Sequence, residues 1–199
     1  IYFYKLYKSE SKSEYNVFVF DLDQTITNGH TGGFYKNDTY KQYISDEMLL
    51  NVKDMFRKIK LEKGKIYINS RGIASNVRNF CNDSGLSVFI DGIYAATHEG
   101  HSTPEPEARP DLNPDKNIPT ISEYMMSNHR WDIIKSIYLM QIVAKENIDY
   151  KQLYYFDDTK KNIEYAKYKG FRNSYIVDSN KYPNPNDEYN LINCFNSYI

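Results

Sequence analysis

Val17-Phe18-Val19-Phe20 is a short, wholly apolar run that ends directly on two carboxylates, Asp21 and Asp23, with one residue between them. A run this short, built from β-branched and aromatic residues, reads as a strand covered on both faces, the kind found in parallel sheets. Two acids at the end of a buried strand cost desolvation energy unless a cation or hydrogen-bond donors offset it. This run therefore constrains the fold and also marks where chemistry is expected.

The same pattern recurs along the chain. Strands are expected at 16–21, 65–69, 88–90, 153–156 and 174–177. Helices are expected at 45–61, 72–84, 128–147 and 160–169. Ser45 is placed to cap the first helix, whose Met48, Leu49, Val52, Met55, Phe56 and Ile59 fall at helical spacing. Gly64, Gly85 and Gly170 act as stops. Asn28-Gly29-His30-Thr31-Gly32-Gly33 reads as turns or a short hairpin. Strands alternating with helices give an α/β fold with a doubly wound parallel sheet. Ligands of such sheets bind beyond the carboxyl ends of the strands. Asp21, Ser70 and the Asp157-Asp158 pair all fall at that edge.

Composition excludes several classes. A net charge of −1 leaves no global electrostatic footprint for nucleic acid or a membrane surface. No apolar stretch approaches the length of a membrane span. Cys81 and Cys194 are far apart and share no metal-ligand spacing, so a reduced, cytoplasmic (intracellular) protein is expected, with a single disulfide as the alternative.

Four motifs stand in order at these positions: Asp21-Leu22-Asp23-Gln24-Thr25, the strand ending at Ser70, Lys135, and Asp157-Asp158-Thr159-Lys160-Lys161-Asn162. In these residues the chain resembles the haloacid dehalogenase-like (HAD) phosphohydrolases over roughly 15–178. The first motif matches their DxDxT, the second their apolar strand ending in Ser or Thr, the third their lone Lys, and the fourth their DDxxxN form. The last motif is most similar to that of the small magnesium-dependent phosphatases.

The resemblance implies a Rossmannoid fold with no large cap domain and Mg²⁺-dependent hydrolysis of phosphate monoesters. Asp21 would attack phosphorus, and Asp23 would protonate the leaving oxygen and then activate water. Mg²⁺ would be held by Asp21, by the backbone carbonyl of Asp23 and by the last motif, with Asp158 favoured and Asp157 close behind. Ser70, Lys135 and Arg71 would hold the phosphoryl oxygens, helped by backbone N–H groups after Ser70 where a helix begins. Thr25 would brace the loop and Asn162 would support Asp158. The expected partner is a phosphorylated substrate: a small molecule, a phosphoprotein or a nucleic-acid end, with weak capping pointing to the larger ones. A polynucleotide 3′-phosphatase or nucleotidase is one alternative. A catalytically silent domain with a binding or structural role is another.

On this basis 1–14 is read as an N-terminal extension, 15–180 as the catalytic domain and 181–199 as a C-terminal tail. Residues 96–127, with prolines at 104, 106, 110, 114 and 119, are read as a loop insertion or lid.

Each motif also has a plainer explanation. Asp21 and Asp23 suit a strand-end turn, Ser70 a helix cap, and Asp157-Asp158 the acid pair that favours a helix N-terminus. Lys135 competes with Lys116 and Arg130 for its role. His98 and His101 suggest zinc but lack a third ligand of matching context. Glu99, Glu105, Glu107, Asp111 and Asp115 read as solvated acids of the insertion. Lys53, Arg57, Lys58, Lys60, Lys63 and Lys65 read as a wet helix face rather than a nucleic-acid surface.

Overall fold

In a computed structural model of the chain, which describes residues 12–31, 35–36, 39–98, 101–104, 131–178, 187 and 189–198, the opening apolar run forms strand β1 (Val17–Phe20). The readings made for 1–11, for most of the 96–127 insertion, for Lys116 and Arg130 and for much of the tail lie outside these residues.

The other strands are β2 (Lys65–Ile73), β3 (Gly92–His98), β4 (His101–Pro104), β5 (Leu153–Asp157) and β6 (Ser174–Ile176). They form one sheet in the order β4-β3-β2-β1-β5-β6. Strands β3, β2, β1, β5 and β6 are mutually parallel, and β4 adds an antiparallel edge beside β3. The helices are α1 (Asp46–Leu61), α2 (Ala74–Asp83), α3 (Trp131–Glu146), α4 (Lys160–Tyr168) and α5 (Leu191–Tyr198).

The two-residue period of a strand explains why helices cover both faces. Phe18 and Phe20 point to one side, into a core built with α1, α2 and α5. Val17 and Val19 point to the other, into a core built with α3 and α4. All four are essentially inaccessible to water. Burying side chains of this size stabilises the fold by about 1.5–3 kcal/mol each. The expected doubly wound α/β sheet is present. Among the described residues no helix is long and apolar enough to cross a membrane.

Local signals placed the elements well where caps were explicit. The Ser45 hydroxyl accepts the Met48 N–H at 3.2 Å and starts α1. The chain leaves α1 through Lys63, which takes a positive φ of 62°. Gly64 follows because a Cβ there would stand 2.7 Å from Ile59 Cγ2.

Three expectations need correction. Residues 88–90 are not a strand: Ser87–Phe89 is a single 3₁₀ turn in which Val88 is exposed. The third strand starts later, at Gly92, directly over the Tyr67 ring. A Cβ on Gly92 would lie 2.6 Å from Tyr67 Cε1, so only glycine allows that approach. Asp91 sets the register, since its carboxylate accepts the Ile66 N–H and its own N–H donates to the Ile66 carbonyl, both at 2.8 Å. Second, β2 runs past Ser70 to Ile73, so the next helix opens at Ala74 and not at 72. Third, 96–98 and 101–104 belong to the β3–β4 hairpin rather than to a loop.

Candidate active site

The register of the sheet assembles the site. Phe20 pairs with Ile68 on one side and with Phe156 on the other. The next residue, Asp21, donates its backbone N–H to the Phe156 carbonyl at 2.9 Å. The carboxyl ends of β1 and β5 therefore deliver Asp21 and Asp157 side by side, with Ser70 on the neighbouring β2. Asp158 follows at the mouth. Carboxylate oxygens of Asp21, Asp157 and Asp158 lie within 4.8 Å of one another, the one such group among the described residues.

Lys135 reaches this cluster from α3. Its side chain is 2% exposed, and its ammonium bridges two carboxylates, 2.9 Å from Asp21 Oδ1 and 2.6 Å from Asp157 Oδ2. Burial opposes the charge on Lys135, but Asp157 and Asp21 outweigh it and the ammonium is held charged. Asn69 fixes the helix to β2, its Nδ2 donating to the Lys135 carbonyl at 3.0 Å.

The two acids of the last motif have different surroundings. Asp157 is completely buried and receives four donors. Its Oδ1 accepts the Thr159 N–H at 2.8 Å and Asn162 Nδ2 at 2.9 Å. Its Oδ2 accepts Lys135 and the Tyr155 hydroxyl. Burial and the neighbouring Asp157 and Asp21 carboxylates raise the Tyr155 phenol well above its ordinary range, so it stays a donor. Asp158 is only partly buried, accepts the Thr159 hydroxyl at 3.3 Å, and faces the cavity. Asn162 thus supports Asp157, not Asp158 as expected from its spacing.

The first motif forms a tight loop at the strand end. Gln24 adopts a left-handed backbone, φ 58°, which is costly for a residue with a side chain and is held by its surroundings. The Leu22 carbonyl accepts the N–H groups of Ile26 and Thr27, each at 3.0 Å. Thr27 Oγ1 also lies 3.1 Å from Leu22 O and 2.8 Å from Gly29 O. The bracing hydroxyl is therefore that of Thr27. Thr25 is fully buried and its hydroxyl makes no hydrogen bond among the described residues, which corrects the role expected for it.

Asp23 turns towards the same cavity and is oriented by Thr31, whose N–H and hydroxyl stand 3.0 and 3.2 Å from its two oxygens. His30 Nδ1 is 3.9 Å from Asp23 Oδ2. Thr31, His30 and Tyr155 were not singled out in the sequence. The first two sit in a Gly-rich stretch that looks like a turn, and Tyr155 sits inside a strand.

Ser70 Oγ accepts the Gly72 N–H at 3.0 Å. It caps no helix, and the backbone after it is still strand, so the expected helix N-terminus for anion binding is displaced to Ala74. Ser70 and the exposed Arg71 line a small cavity of about 30 Å³ together with Asp21, Asp23, Lys135 and Asp158. A larger depression of about 360 Å³ between α1 and α5 is lined by Asn51, Asp54, Met55, Lys58, Ile192 and Asn196 and holds none of the motif residues.

Three carboxylates against one ammonium leave the cluster too negative for its burial. Desolvation raises the Asp21 carboxyl from 3.8 to about 8; Lys135 pulls it down, while Asp157 and Asp158 push it up. Asp158 is raised too, by burial first and then by Asp157. Such a cluster either keeps a proton or takes up a cation. Its all-oxygen donor set suits Mg²⁺.

No protein-family model matches the chain, and no curated protein matches it in sequence. Solved structures do. A haloacid dehalogenase-like family hydrolase from Streptococcus pneumoniae superposes with a TM-score of 0.50 at 14% identity, over 83% of this chain and 85% of that one. The N-terminal part of a Bacteroides fragilis protein, containing a phosphatase domain complexed with Mg, superposes with a TM-score of 0.54 at 12% identity. That match covers 85% of this chain, which spans only 38% of the Bacteroides structure. The sheet order, the helices on both faces and the acidic strand ends give this chain the haloacid dehalogenase-like fold.

Proposed function

We propose that this protein is a Mg²⁺-dependent phosphatase that hydrolyses phosphate monoesters through an aspartyl-phosphate on Asp21. The observation that carries this reading is the bridge from Lys135 to Asp21 and Asp157, with Asp158 beside it, built from three distant parts of the chain.

Asp21, the Asp23 carbonyl and Asp158 would hold the ion. Asp157 has both oxygens saturated by four donors and serves to aim Lys135. When bound, Mg²⁺ supplies the positive charge that lets a carboxylate approach a phosphate dianion. Asp21 Oδ attacks phosphorus as the ester oxygen departs. Asp23, oriented by Thr31, gives that oxygen a proton and then takes one from the water that cleaves the acyl phosphate. Lys135, Ser70 and Arg71 hold the phosphoryl oxygens as charge develops on them.

The cavity is small, about 30 Å³, so it takes the phosphoryl group and leaves the alcohol at its mouth. This favours phosphate displayed on a larger molecule, such as a phosphoprotein side chain or a nucleic-acid end, over a substrate that must be engulfed.

The test is turnover of p-nitrophenyl phosphate with and without Mg²⁺ by the wild type and by Asp21→Asn. The wild type should depend on the ion and the variant should lose essentially all activity, since an amide is not a nucleophile here. A wild type with no turnover, or a variant at wild-type rate, sinks the proposal.

A further inference from the structure

Of the four donors to Asp157, the hydroxyl of Tyr155 is the one that shares an oxygen with Lys135. Tyr155 lies two residues before Asp157 on β5, so both side chains leave the same face of the strand. It is wholly buried in the core beneath α3, the helix that carries Lys135. It does not line the cavity, so it does not touch substrate.

We propose that Tyr155 is a positioning residue for Lys135, a role that rests on the phosphatase reading. Tyr155 and Lys135 share one oxygen, Asp157 Oδ2. The ammonium already stands nearer to Asp157, at 2.6 Å, than to Asp21, at 2.9 Å. The hydroxyl occupies part of that oxygen's accepting capacity and fixes the rotation of the carboxylate. Without it, Lys135 is the one donor left to Asp157 Oδ2 among the described residues. The ammonium is then drawn further onto Asp157, away from Asp21 and from the phosphoryl oxygens. Asp158 and the Asp23 carbonyl, which would hold the cation with Asp21, accept no hydrogen bond from Tyr155 or Lys135 among the described residues. The hydroxyl therefore affects anion grip far more than metal affinity.

Tyr155→Phe keeps the ring and its packing and removes only the donor. Competitive inhibition by orthovanadate, which mimics the five-coordinate phosphoryl group, should weaken about 5- to 20-fold, with a similar fall in kcat for p-nitrophenyl phosphate. The Mg²⁺ concentration for half-maximal activity should stay within about twofold, and the melting temperature within a few degrees. In a Lys135→Ala background, Tyr155→Phe should add less than about twofold to the vanadate constant, because the two act as one unit. If Lys135→Ala does not fold, the vanadate constant of Tyr155→Phe decides alone. Unchanged vanadate affinity overturns the proposal, whatever happens to stability. So does a shift in the Mg²⁺ requirement instead. A wild type that neither hydrolyses p-nitrophenyl phosphate nor is inhibited by vanadate overturns the phosphatase reading as well, whereas a wild-type-like Tyr155→Phe in an active protein refutes only the role of Tyr155.

Discussion

Lys135 Nζ lies 2.6 Å from Asp157 Oδ2 with both groups shielded from water, and this ion pair ties helix α3 to the end of strand β5. Removing the ammonium leaves Asp157 and Asp21 buried without their cation. Breaking a buried pair in this way costs about 3–5 kcal/mol. Lys135→Ala should melt roughly 6–20 °C lower than wild type and lose most phosphatase activity. Thermal unfolding followed by circular dichroism measures the first effect. A melting point within a couple of degrees of wild type contradicts the buried-pair account.

Asp157 and Asp158 should separate by experiment. Asp158→Asn removes the carboxylate that faces the cavity, so Mg²⁺ binding by calorimetry should weaken at least about tenfold. Asp157→Asn should keep Mg²⁺ binding within a few-fold but unfold more easily, since Lys135 loses its nearer partner. The reverse pattern assigns the ion to Asp157.

The Asp21 carboxyl, raised from 3.8 to about 8 by burial, makes stability depend on pH in a defined direction. Between these values the folded, metal-free protein keeps a proton that the unfolded chain has lost. Its contribution is complete below pH 4 and is lost as pH rises towards 8, by up to about 1.4 kcal/mol per unit for one proton. Melting temperatures of the metal-free protein across this range should fall from this group and level off above pH 8. Asp21→Asn should flatten the slope. Mg²⁺ must displace the same proton, so its apparent affinity should rise with pH over the same window. Identical slopes in wild type and variant exclude this origin.

Asp23, held by Thr31, is assigned the proton for the leaving oxygen. p-Nitrophenolate leaves without help, whereas an alkoxide does not. In Asp23→Asn the pre-steady-state phosphorylation of Asp21 should therefore drop by about 10²-fold or more for an alkyl phosphate and much less for p-nitrophenyl phosphate. Equal losses for both esters argue against the acid role.

Gly92 tests the packing that moved the third strand. Its α-carbon lies against the Tyr67 ring, and an added Cβ meets Cε1 at 2.6 Å. Gly92→Ala should cost about 1–3 kcal/mol in denaturant unfolding. A neutral effect implies that the Tyr67 ring moves aside freely.

Local physics made much of this protein readable in advance. The apolar strand ending on Asp21, the Ser45 cap and the helical spacing of Met48 to Ile59 are short-range signals, and each produced its element. The motif order also pointed to the sheet edge where Asp21, Ser70, Lys135 and Asp158 gather around one cavity. The errors came where two signals competed. Val88-Phe89-Ile90 is apolar enough for a strand, yet it is the turn leaving α2, and the true strand begins on a glycine whose role is to approach Tyr67.

What the amino-acid order determined alone was most of the elements and the carboxylates at their ends, because both follow from neighbours a few positions apart. Only the tertiary structure decided the division of labour among them. Thr27 braces the loop instead of Thr25, Asn162 serves Asp157 instead of Asp158, and Tyr155 joins Lys135 on one oxygen. Those pairings depend on strand register and on which way a helix presents its side chains, and spacing along the chain carries neither.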